Sequence, residues 1–331
     1  MMKWIIFSLI IITFLMSCDT QDKFKIGFLI PSKERFDIES GFFSEKAKEL
    51  GCVPLIVKTE FNETAQMEAG FNMLKEQDIN LLIIAAVNGN TIAPLVREAK
   101  NSGIPVIAYN MLINNVDYDV FFSGDNDYLA KLFCESALEY KPSGNYVVLG
   151  GDRFDRNGVE LKNGIDSLLK PYTTKGDINI IYETYIEGWS RENAMYEFQQ
   201  VIDVYGTNID VILSSNDGMA DGVIEVLEKH KTENQIFITG QDADIIGVRN
   251  VFKGKQSMTV YHPAKEYGYG VAELAFSLLQ NKNPEDLTTK TVFNGLSYIP
   301  NVMVKSIKIT ASNINKELIE TGVYDLNDIQ Q

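Results

Sequence analysis

Two apolar runs of the chain each end in a cluster of amide and carboxylate side chains. Val211–Ser215 continues into Asn216-Asp217-Gly218, and Ile236–Gly240 continues into Gln241-Asp242-Ala243-Asp244. Such runs are typical of buried parallel strands, whose carboxyl ends form the ligand crevice of an open α/β sheet. Amides and carboxylates at these ends offer paired hydrogen-bond donors and acceptors but no nucleophile. The pattern therefore favours a ligand that is covered with hydroxyl groups.

Other candidate residues follow predicted strands in the same way. Trp189 lies between a strand end and a helix start, where its flat face would cover the C–H face of a sugar ring, although a place in the core is an equal alternative. Arg35 and Phe36 follow the first strand, and Asn157 follows the strand that ends at Gly150. Each alone would more often be a surface group or a helix cap, but their shared location favours one binding site.

Signatures of enzymes and metal sites are scarce. The chain has no G-x-S-x-G elbow, no P-loop and no H-E-x-x-H, and its only two histidines are His230 and His262. Asp125-Asn126-Asp127 lacks the glycine and glutamate of a calcium loop, so we predict that it caps a helix. Gly268-Tyr269-Gly270 lacks the third glycine of a dinucleotide fingerprint and is interpreted as helix packing. We expect no enzymatic activity, no catalytic residue, no cofactor and no metal.

Composition points to a globular protein that avoids nucleic acid. Of 331 residues, 45% are hydrophobic and 23% are charged, which is ordinary for a soluble domain. The net charge is -15, and so acidic a chain should repel phosphate backbones.

The N-terminus resembles an export signal. Lys3 precedes an apolar stretch, Trp4–Met16, which is short for a membrane span but suits a signal sequence. Leu15-Met16-Ser17-Cys18 resembles the lipobox of bacterial lipoproteins, in which the signal (here 1–17) is removed and the cysteine (here Cys18) is lipidated. A plain secretory signal or a short membrane anchor are the alternatives, and all three place the protein outside the cytoplasm. Cys52 and Cys134 are predicted to be buried small hydrophobes, although a disulfide between them remains possible.

Strand-like and helix-like segments alternate from Phe24 onwards, which is typical of parallel α/β sheets. The strand-like runs are Phe24–Ile30, Val53–Val57, Asn80–Ala86, Ile104–Tyr109, Val120–Ser123, Asn145–Gly150, Ile178–Tyr185, Ile209–Ser215, Gln235–Gly240 and Ser257–Tyr261. They are too many for one small sheet, so we predict two similar lobes. The first lobe spans 24–126 with 264–292, and the second spans 127–263 with 293–331. No long linker separates the lobes, so short hinge crossings should join them.

Several blocks resemble the periplasmic sugar-binding proteins of the ribose and xylose group, most closely the D-xylose-binding components of bacterial ABC transporters. The most specific blocks are Gly240-Gln241-Asp242-Ala243-Asp244 and Gly188-Trp189 with Glu192-Asn193-Ala194, and the similarity covers Phe24 to Asn315. The resemblance implies the type I periplasmic binding protein fold, in which two Rossmann-like lobes with parallel sheets, joined by three hinge crossings, close on one sugar.

By this resemblance, Arg35 and Phe36 would supply a guanidinium and an aromatic wall from the first lobe. Asn157, Asn216 and Asp242 would hydrogen-bond sugar hydroxyls from the second lobe, and Trp189 would stack on the ring. Two positions of the same ligand set depart from the family pattern: Asn110-Met111 replaces Asp-Arg, and His262 replaces lysine.

Together with the lipobox-like segment before Cys18, the resemblance implies a monomeric, lipid-anchored receptor in the periplasm or on the outer face of the cell membrane. It would deliver xylose or a related pentose to the permease of an ABC transporter. The alternative is a sugar-sensing subunit that signals to a membrane histidine kinase or a chemoreceptor, because one fold serves both purposes.

Overall fold

The computed structural model of the protein describes residues 24–231, 235–288 and 290–331, without the side chain of Glu34. The predicted signal at 1–17 and the predicted lipidation at Cys18 lie outside these ranges.

Helices and strands alternate along most of the described chain. The strands are β1 (Lys25–Pro31), β2 (Val53–Thr59), β3 (Leu81–Ile84), β4 (Val106–Tyr109), β5 (Val120–Gly124), β6 (Gly144–Gly150), β7 (Ile178–Tyr185), β8 (Val211–Ser214), β9 (Phe237–Ile238), β10 (Thr259–Tyr261), β11 (Thr291–Phe293), β12 (Tyr298–Val304) and β13 (Ile307–Ile309). The α-helices are α1 (Glu34–Glu49), α2 (Glu63–Glu76), α3 (Ala93–Asn101), α4 (Asn126–Tyr140), α5 (Arg156–Lys175), α6 (Arg191–Tyr205), α7 (Asp217–Lys229), α8 (Ile245–Phe252), α9 (Ala264–Leu279) and α10 (Leu326–Gln330). Short 3-10 turns lie at Glu187–Trp189 and Pro284–Leu287, and a π-helical turn lies at Asn315–Ile319. Every strand-like run predicted above overlaps one of these strands.

The first lobe is built on a sheet in the order β11-β12-β5-β4-β3-β1-β2. All neighbours run parallel except β11, which is antiparallel to β12. Both faces of the sheet are covered by helices, so that consecutive residues such as Phe28 and Leu29 are both fully buried but belong to different apolar clusters. This two-sided burial explains why the central strands are continuous apolar runs and do not alternate with polar residues.

The second lobe is built on the parallel sheet β7-β6-β8-β9, with the antiparallel pair β10-β13 beside it. Tyr146 and Val148 pack against α4 and α5 on one face, whereas Val147 and Leu149 pack against α6 and α7 on the other. Asp125 precedes α4, and its side chain accepts a hydrogen bond from the backbone N–H of Tyr128, which confirms the predicted helix cap.

The chain crosses between the lobes three times. The crossings follow β5, β10 and β12. The predicted architecture of two α/β lobes with parallel sheets and three hinge crossings is confirmed.

The last crossing differs from the expected position. The expected boundary at 292/293 assigned β12 to the second lobe, but β12 pairs with β5 in the first sheet, with Val302 opposite Phe122. The chain therefore crosses only after Val304. The half-buried alternation of β12 fits the edge region of either sheet, so the local sequence does not specify its partner.

Both described cysteines are buried and have free thiols. Cys52 lies in an apolar cluster of the first lobe and Cys134 in one of the second, which confirms the prediction of small buried hydrophobes and leaves them unpaired. Within the described ranges, no helix is long and apolar enough to cross a membrane.

Gly268 allows α9 to pack tightly against α1. A Cβ atom at Gly268 would lie 2.5 Å from the carbonyl oxygen of Glu39 and 2.7 Å from the backbone nitrogen of Phe43. Backbone atoms cannot move aside as a flexible side chain can, so the contact requires glycine. The interpretation of this glycine as helix packing is confirmed.

Gly268→Ala should therefore destabilise the protein by about 1–3 kcal/mol, as overpacked contacts do. Gly41→Ala is the matched control, because Gly41 lies on α1 with open space where its Cβ would be. That change should be neutral or stabilise by up to about 1 kcal/mol through helix propensity. Urea unfolding followed by circular dichroism measures both, and an equal effect of the two substitutions would contradict the packing account.

Candidate functional site

Arg35 lies where the first turn of α1 follows β1, at the boundary of the two lobes. Its Nε donates a hydrogen bond to Oε1 of the buried Glu39 at 2.7 Å, and its guanidinium lies 4.8 Å from the ring centre of Tyr267. Burial lowers the pKa of Arg35, but Glu39, Tyr267 and Tyr109 together outweigh this effect, so the pKa is raised. The Nη2 nitrogen is buried and has no hydrogen-bond partner among the described residues. A fixed cation with a free donor is thus available to a ligand.

Asp242 and His262 extend this group into the second lobe. Asp242 follows β9, and its Oδ1 lies 3.6 Å from Nε2 of His262, which is too long for a hydrogen bond. His262 follows β10, and its Nδ1 lies 2.9 Å from Oγ of Ser306. Its ring meets Tyr267 edge to face at 6.4 Å. Arg35, Tyr267, His262 and Asp242 therefore form a continuous series from one lobe to the other.

The environment of this series keeps His262 neutral. Burial, and then the charge of Arg35, lower the pKa of His262 well below its ordinary value. Burial raises the pKa of Asp242, while Arg35 and Gln241 oppose the increase. A neutral imidazole does not form an ion pair with Asp242, so the carboxylate and the imidazole Nε2 are both available to bind hydroxyl groups.

A buried carboxylate organises the loop that presents Asp242. Asp217 is fully buried, and it accepts hydrogen bonds from Gln256 Nε2 at 2.8 Å, Thr259 Oγ1 at 2.8 Å and the backbone N–H of Asp244 at 3.0 Å. Its own N–H donates to the carbonyl of Gln241. The two polar clusters recognised in the sequence are thus joined through Asp217.

Trp189 and Asn216 form a second group in the second lobe. Asn216 caps α7, with its Oδ1 accepting from the N–H of Met219 at 2.8 Å, and its Nδ2 donates to the carbonyl oxygen of Trp189 at 3.4 Å. The indole lies against Gly151, where a Cβ would be only 2.3 Å from Trp189 Cη2. Burial raises the pKa of Asp155, and the nearby Trp189 side chain opposes this increase. Trp189 is half-buried, with its ring fixed beside the end of β6.

Asn110, Met111 and Asn157 form a third group. They line a cavity of about 590 Å³ between the lobes, together with Ser123 and Glu160. Oδ1 of Asn157 accepts a hydrogen bond from Asn126 at 3.1 Å. The residues of the other two groups, Arg35, Trp189, Asn216, Asp242 and His262, do not line this cavity.

Phe36 is the predicted residue that the structure brings least into the cleft. It is 7% exposed, and its ring packs edge to face against Tyr109 in the core of the first lobe. Its neighbour Arg35 faces the lobe boundary, so consecutive helical positions diverge. Phe36 therefore exposes little of its ring as the predicted aromatic wall.

Three of the predicted residues have unusual backbone conformations. The φ angles of Asn110, Trp189 and Asp242 are 61°, 54° and 89°. This left-handed region costs ordinary residues of order 1–3 kcal/mol and is concentrated at functional sites. The strain re-aims these side chains at the strand ends, a feature that residue types alone do not show.

Sequence reasoning missed the residues that support the site. Glu39 has a recognisable signal, because it lies one helical turn after Arg35. Tyr267, Gln241 and Ser215 also present buried polar atoms, and none of these atoms has a partner in the described part of the chain. Tyr267 gives no local signal, because it reaches Arg35 only through the packing of α9 on α1.

The arrangement can bind hydroxyl groups but offers no reactive constellation. Arg35, Gln241 and His262 each carry a buried polar atom without a hydrogen-bond partner in the described part of the chain, and a polyol could satisfy such atoms. Within the described ranges, no cluster of three or more histidine, cysteine or acidic residues could hold a metal.

Comparisons with known proteins agree with this chemistry. The periplasmic binding protein domain matches residues 26–283. The D-xylose-binding periplasmic protein of Escherichia coli K12 is 32% identical over 307 residues, which cover 92% of each chain. The multiple sugar-binding periplasmic receptor ChvE of Rhizobium radiobacter is 28% identical over 292 residues, covering 81% of this chain and 80% of the receptor.

A solved structure is similar over nearly the whole chain. It is an ABC transporter solute-binding protein from Clostridium phytofermentans with bound β-D-glucose. The TM-score is 0.80 at 26% identity, and the match covers 92% of this chain and 99% of that one. These relatives are binding proteins, in keeping with the expectation that this chain is not an enzyme.

The burial of neutral His262 predicts a pH dependence of stability. Because its pKa is lowered in the folded state, the unfolded chain binds a proton below about pH 6.5 that the folded chain excludes. Stability from this residue is therefore lost as the pH falls below that value, at up to about 1.4 kcal/mol per pH unit.

Replacing the histidine should remove this component. His262→Gln should lose less stability between pH 7.5 and 5.5 than the wild type in urea unfolding. His230→Gln, at the exposed histidine, is the control and should retain the wild-type slope. Parallel slopes for wild type and His262→Gln would show that His262 titrates normally.

Proposed function

Because the chain belongs to the periplasmic binding protein domain family, we propose that it is an extracytoplasmic receptor that closes on one monosaccharide. The observation that carries this proposal is the set of buried polar atoms without partners at the lobe boundary, which includes Arg35 Nη2, Gln241 Oε1 and His262 Nε2. Leaving such atoms unpaired is costly, and sugar hydroxyls can donate to the acceptors and accept from the donor. The sugar-binding relatives support the same ligand class.

Xylose or a related pentose is the ligand that we propose within this class. The support is the relative at 32% identity, which is named for D-xylose. Met111 and His262 replace an arginine and a lysine of the family pattern, so two charged donors are absent. Neutral His262 beside Asp242 instead provides one imidazole nitrogen and one carboxylate, which would recognise hydroxyl groups by a different pairing.

Closure about the three crossings would bury the sugar and make its hydrogen bonds selective. In a desolvated cleft, a hydroxyl of the wrong stereochemistry leaves a partner unpaired, which penalises the wrong sugar. The sugar would shift the population towards the closed form by binding that form more tightly. The closed lobes would then present one joint surface to the permease of an ABC transporter.

A sensing role is the second candidate, and one relative is named a receptor. Capture of the sugar is common to both roles, so the cleft does not separate them. Sugar uptake by cells that lack the gene separates them, because loss of uptake supports transport and normal uptake supports sensing.

The proposed membrane attachment depends on Cys18. Two or more acyl chains on this cysteine would hold the protein on the outer face of a membrane, whereas one chain binds only weakly. Cys18→Ser should abolish incorporation of radiolabelled palmitate and release the protein into the soluble fraction. If the variant is still labelled or remains in the membrane fraction, the lipoprotein proposal is wrong.

Two substitutions test the proposed sugar site by calorimetry with D-xylose. Trp189→Ala should weaken binding by about 1–3 kcal/mol, because a fixed aromatic face is lost. Asp242→Ala should abolish measurable binding, because the sugar loses a charged acceptor in a desolvated cleft.

Tyr196→Ala is the matched control for Trp189, since Tyr196 lies on α6 and is 65% exposed. It should bind as the wild type does. Wild-type affinity in both site variants would remove these residues from the site.

A further inference from the structure

A buried acidic residue, Glu39, binds the guanidinium of Arg35. Glu39 lies on α1 one turn after Arg35 and is fully buried. Its Oε1 accepts from Arg35 Nε at 2.7 Å, and its Oε2 accepts from the hydroxyl group of Tyr109 at 2.6 Å. Both carboxylate oxygens are therefore occupied by protein groups, and neither is available to a ligand.

Glu39 is enclosed by buried side chains and backbone. Tyr109 and Tyr267 are both fully buried or nearly so, and their rings meet edge to face at 6.3 Å. Gly268 on α9 brings its backbone against the carbonyl group of Glu39. A buried carboxylate is stable only while its charge is paired. The ion pair with Arg35 therefore restrains both side chains.

Two contacts determine the orientation of the guanidinium. Glu39 binds one edge through Nε, and Tyr267 covers one face at 4.8 Å. The Nη2 nitrogen is buried and has no hydrogen-bond partner in the part of the chain that the structure describes. A freely rotating arginine would distribute its donors over many directions, whereas the ion pair and the ring contact hold this guanidinium in one orientation with Nη2 unpaired.

Tyr109 links the carboxylate of Glu39 to the end of β4. It is the last residue of β4 and directly precedes Asn110, whose left-handed φ of 61° turns the chain at the strand end. The hydrogen bond from Tyr109 to Glu39 thus joins the end of β4 to the start of α1. Two sides of the first-lobe site meet at one buried carboxylate.

We propose that Glu39 is a positioning residue for sugar binding, which orients the Arg35 guanidinium through its Nε and never touches the ligand. This inference rests on the proposed function, because it needs Arg35 to bind the sugar. It assigns the affinity of the first lobe to a hydrogen-bonded triad of Tyr109, Glu39 and Arg35.

A double-mutant cycle tests this role by calorimetry with D-xylose and D-glucose. Glu39→Gln keeps the size of the side chain and removes its charge, and it should weaken binding about tenfold, as expected for a lost charge-assisted hydrogen bond. Arg35→Met should weaken binding by at least as much. In the Arg35→Met background, Glu39→Gln should change the affinity less than twofold, because there is no guanidinium left to orient.

Glu45→Gln is the matched control. Glu45 lies on the same helix and accepts a hydrogen bond from Tyr269 at 2.7 Å, away from Arg35, so its loss should leave the affinity unchanged. If Glu39→Gln does not fold, Tyr109→Phe replaces it in the cycle and should weaken binding severalfold with the same dependence on Arg35.

The outcomes separate this inference from the proposed function. Wild-type protein that binds neither sugar, or Arg35→Met with wild-type affinity, overturns the proposed site and the inference with it. Glu39→Gln with wild-type affinity, or with an undiminished penalty in the Arg35→Met background, overturns the positioning role alone. An undiminished penalty is also the result that a purely structural role of Glu39 would give.

Discussion

The Arg35 guanidinium lies at the boundary of the two lobes, bound by the Glu39 carboxylate at one edge and covered by Tyr267 on one face. A charge in this place is costly unless it is paired, and this requirement shapes the elements around it. Helix α1 must place Glu39 one turn after Arg35, α9 must bring Tyr267 across, and Gly268 must let the two helices approach. The same contacts leave one buried donor unused, which is why the packing of the first lobe also creates its binding chemistry.

The second lobe supplies hydrogen-bond acceptors that complement the Arg35 donor of the first lobe. A buried aspartate, Asp217, binds the loop that follows β9 and sets Asp242 in a left-handed conformation near His262. Because His262 is neutral, it does not form an ion pair with the carboxylate of Asp242. A donor from one lobe and acceptors from the other remain incompletely paired until something polar lies between them. Hinge closure on a polyol would satisfy both at once.

Much of the fold and part of the site could be predicted from the sequence. Apolar runs predicted the strands, since two-sided burial leaves a continuous hydrophobic pattern, and the polar clusters after β8 and β9 predicted the strand ends that meet. The assignment of β12 was wrong because strand pairing over long distances is not encoded locally. Tyr267 was missed for the same reason, and Phe36 proved to face the core because the pattern does not fix the rotation of α1. The positive φ angles of Asn110, Trp189 and Asp242 are set by the surrounding packing and have no signature in residue types.

The central claim is that donors and acceptors from two lobes converge on one sugar. A crystal structure of the protein grown with D-xylose tests it most directly, by the distances from sugar oxygens to Arg35 Nη2 and to Asp242 Oδ1. We expect hydrogen bonds, with distances of about 2.7–3.2 Å, from one sugar molecule to both residues. A sugar bound only in the cavity beside Glu160, or contacting one lobe alone, would contradict the account.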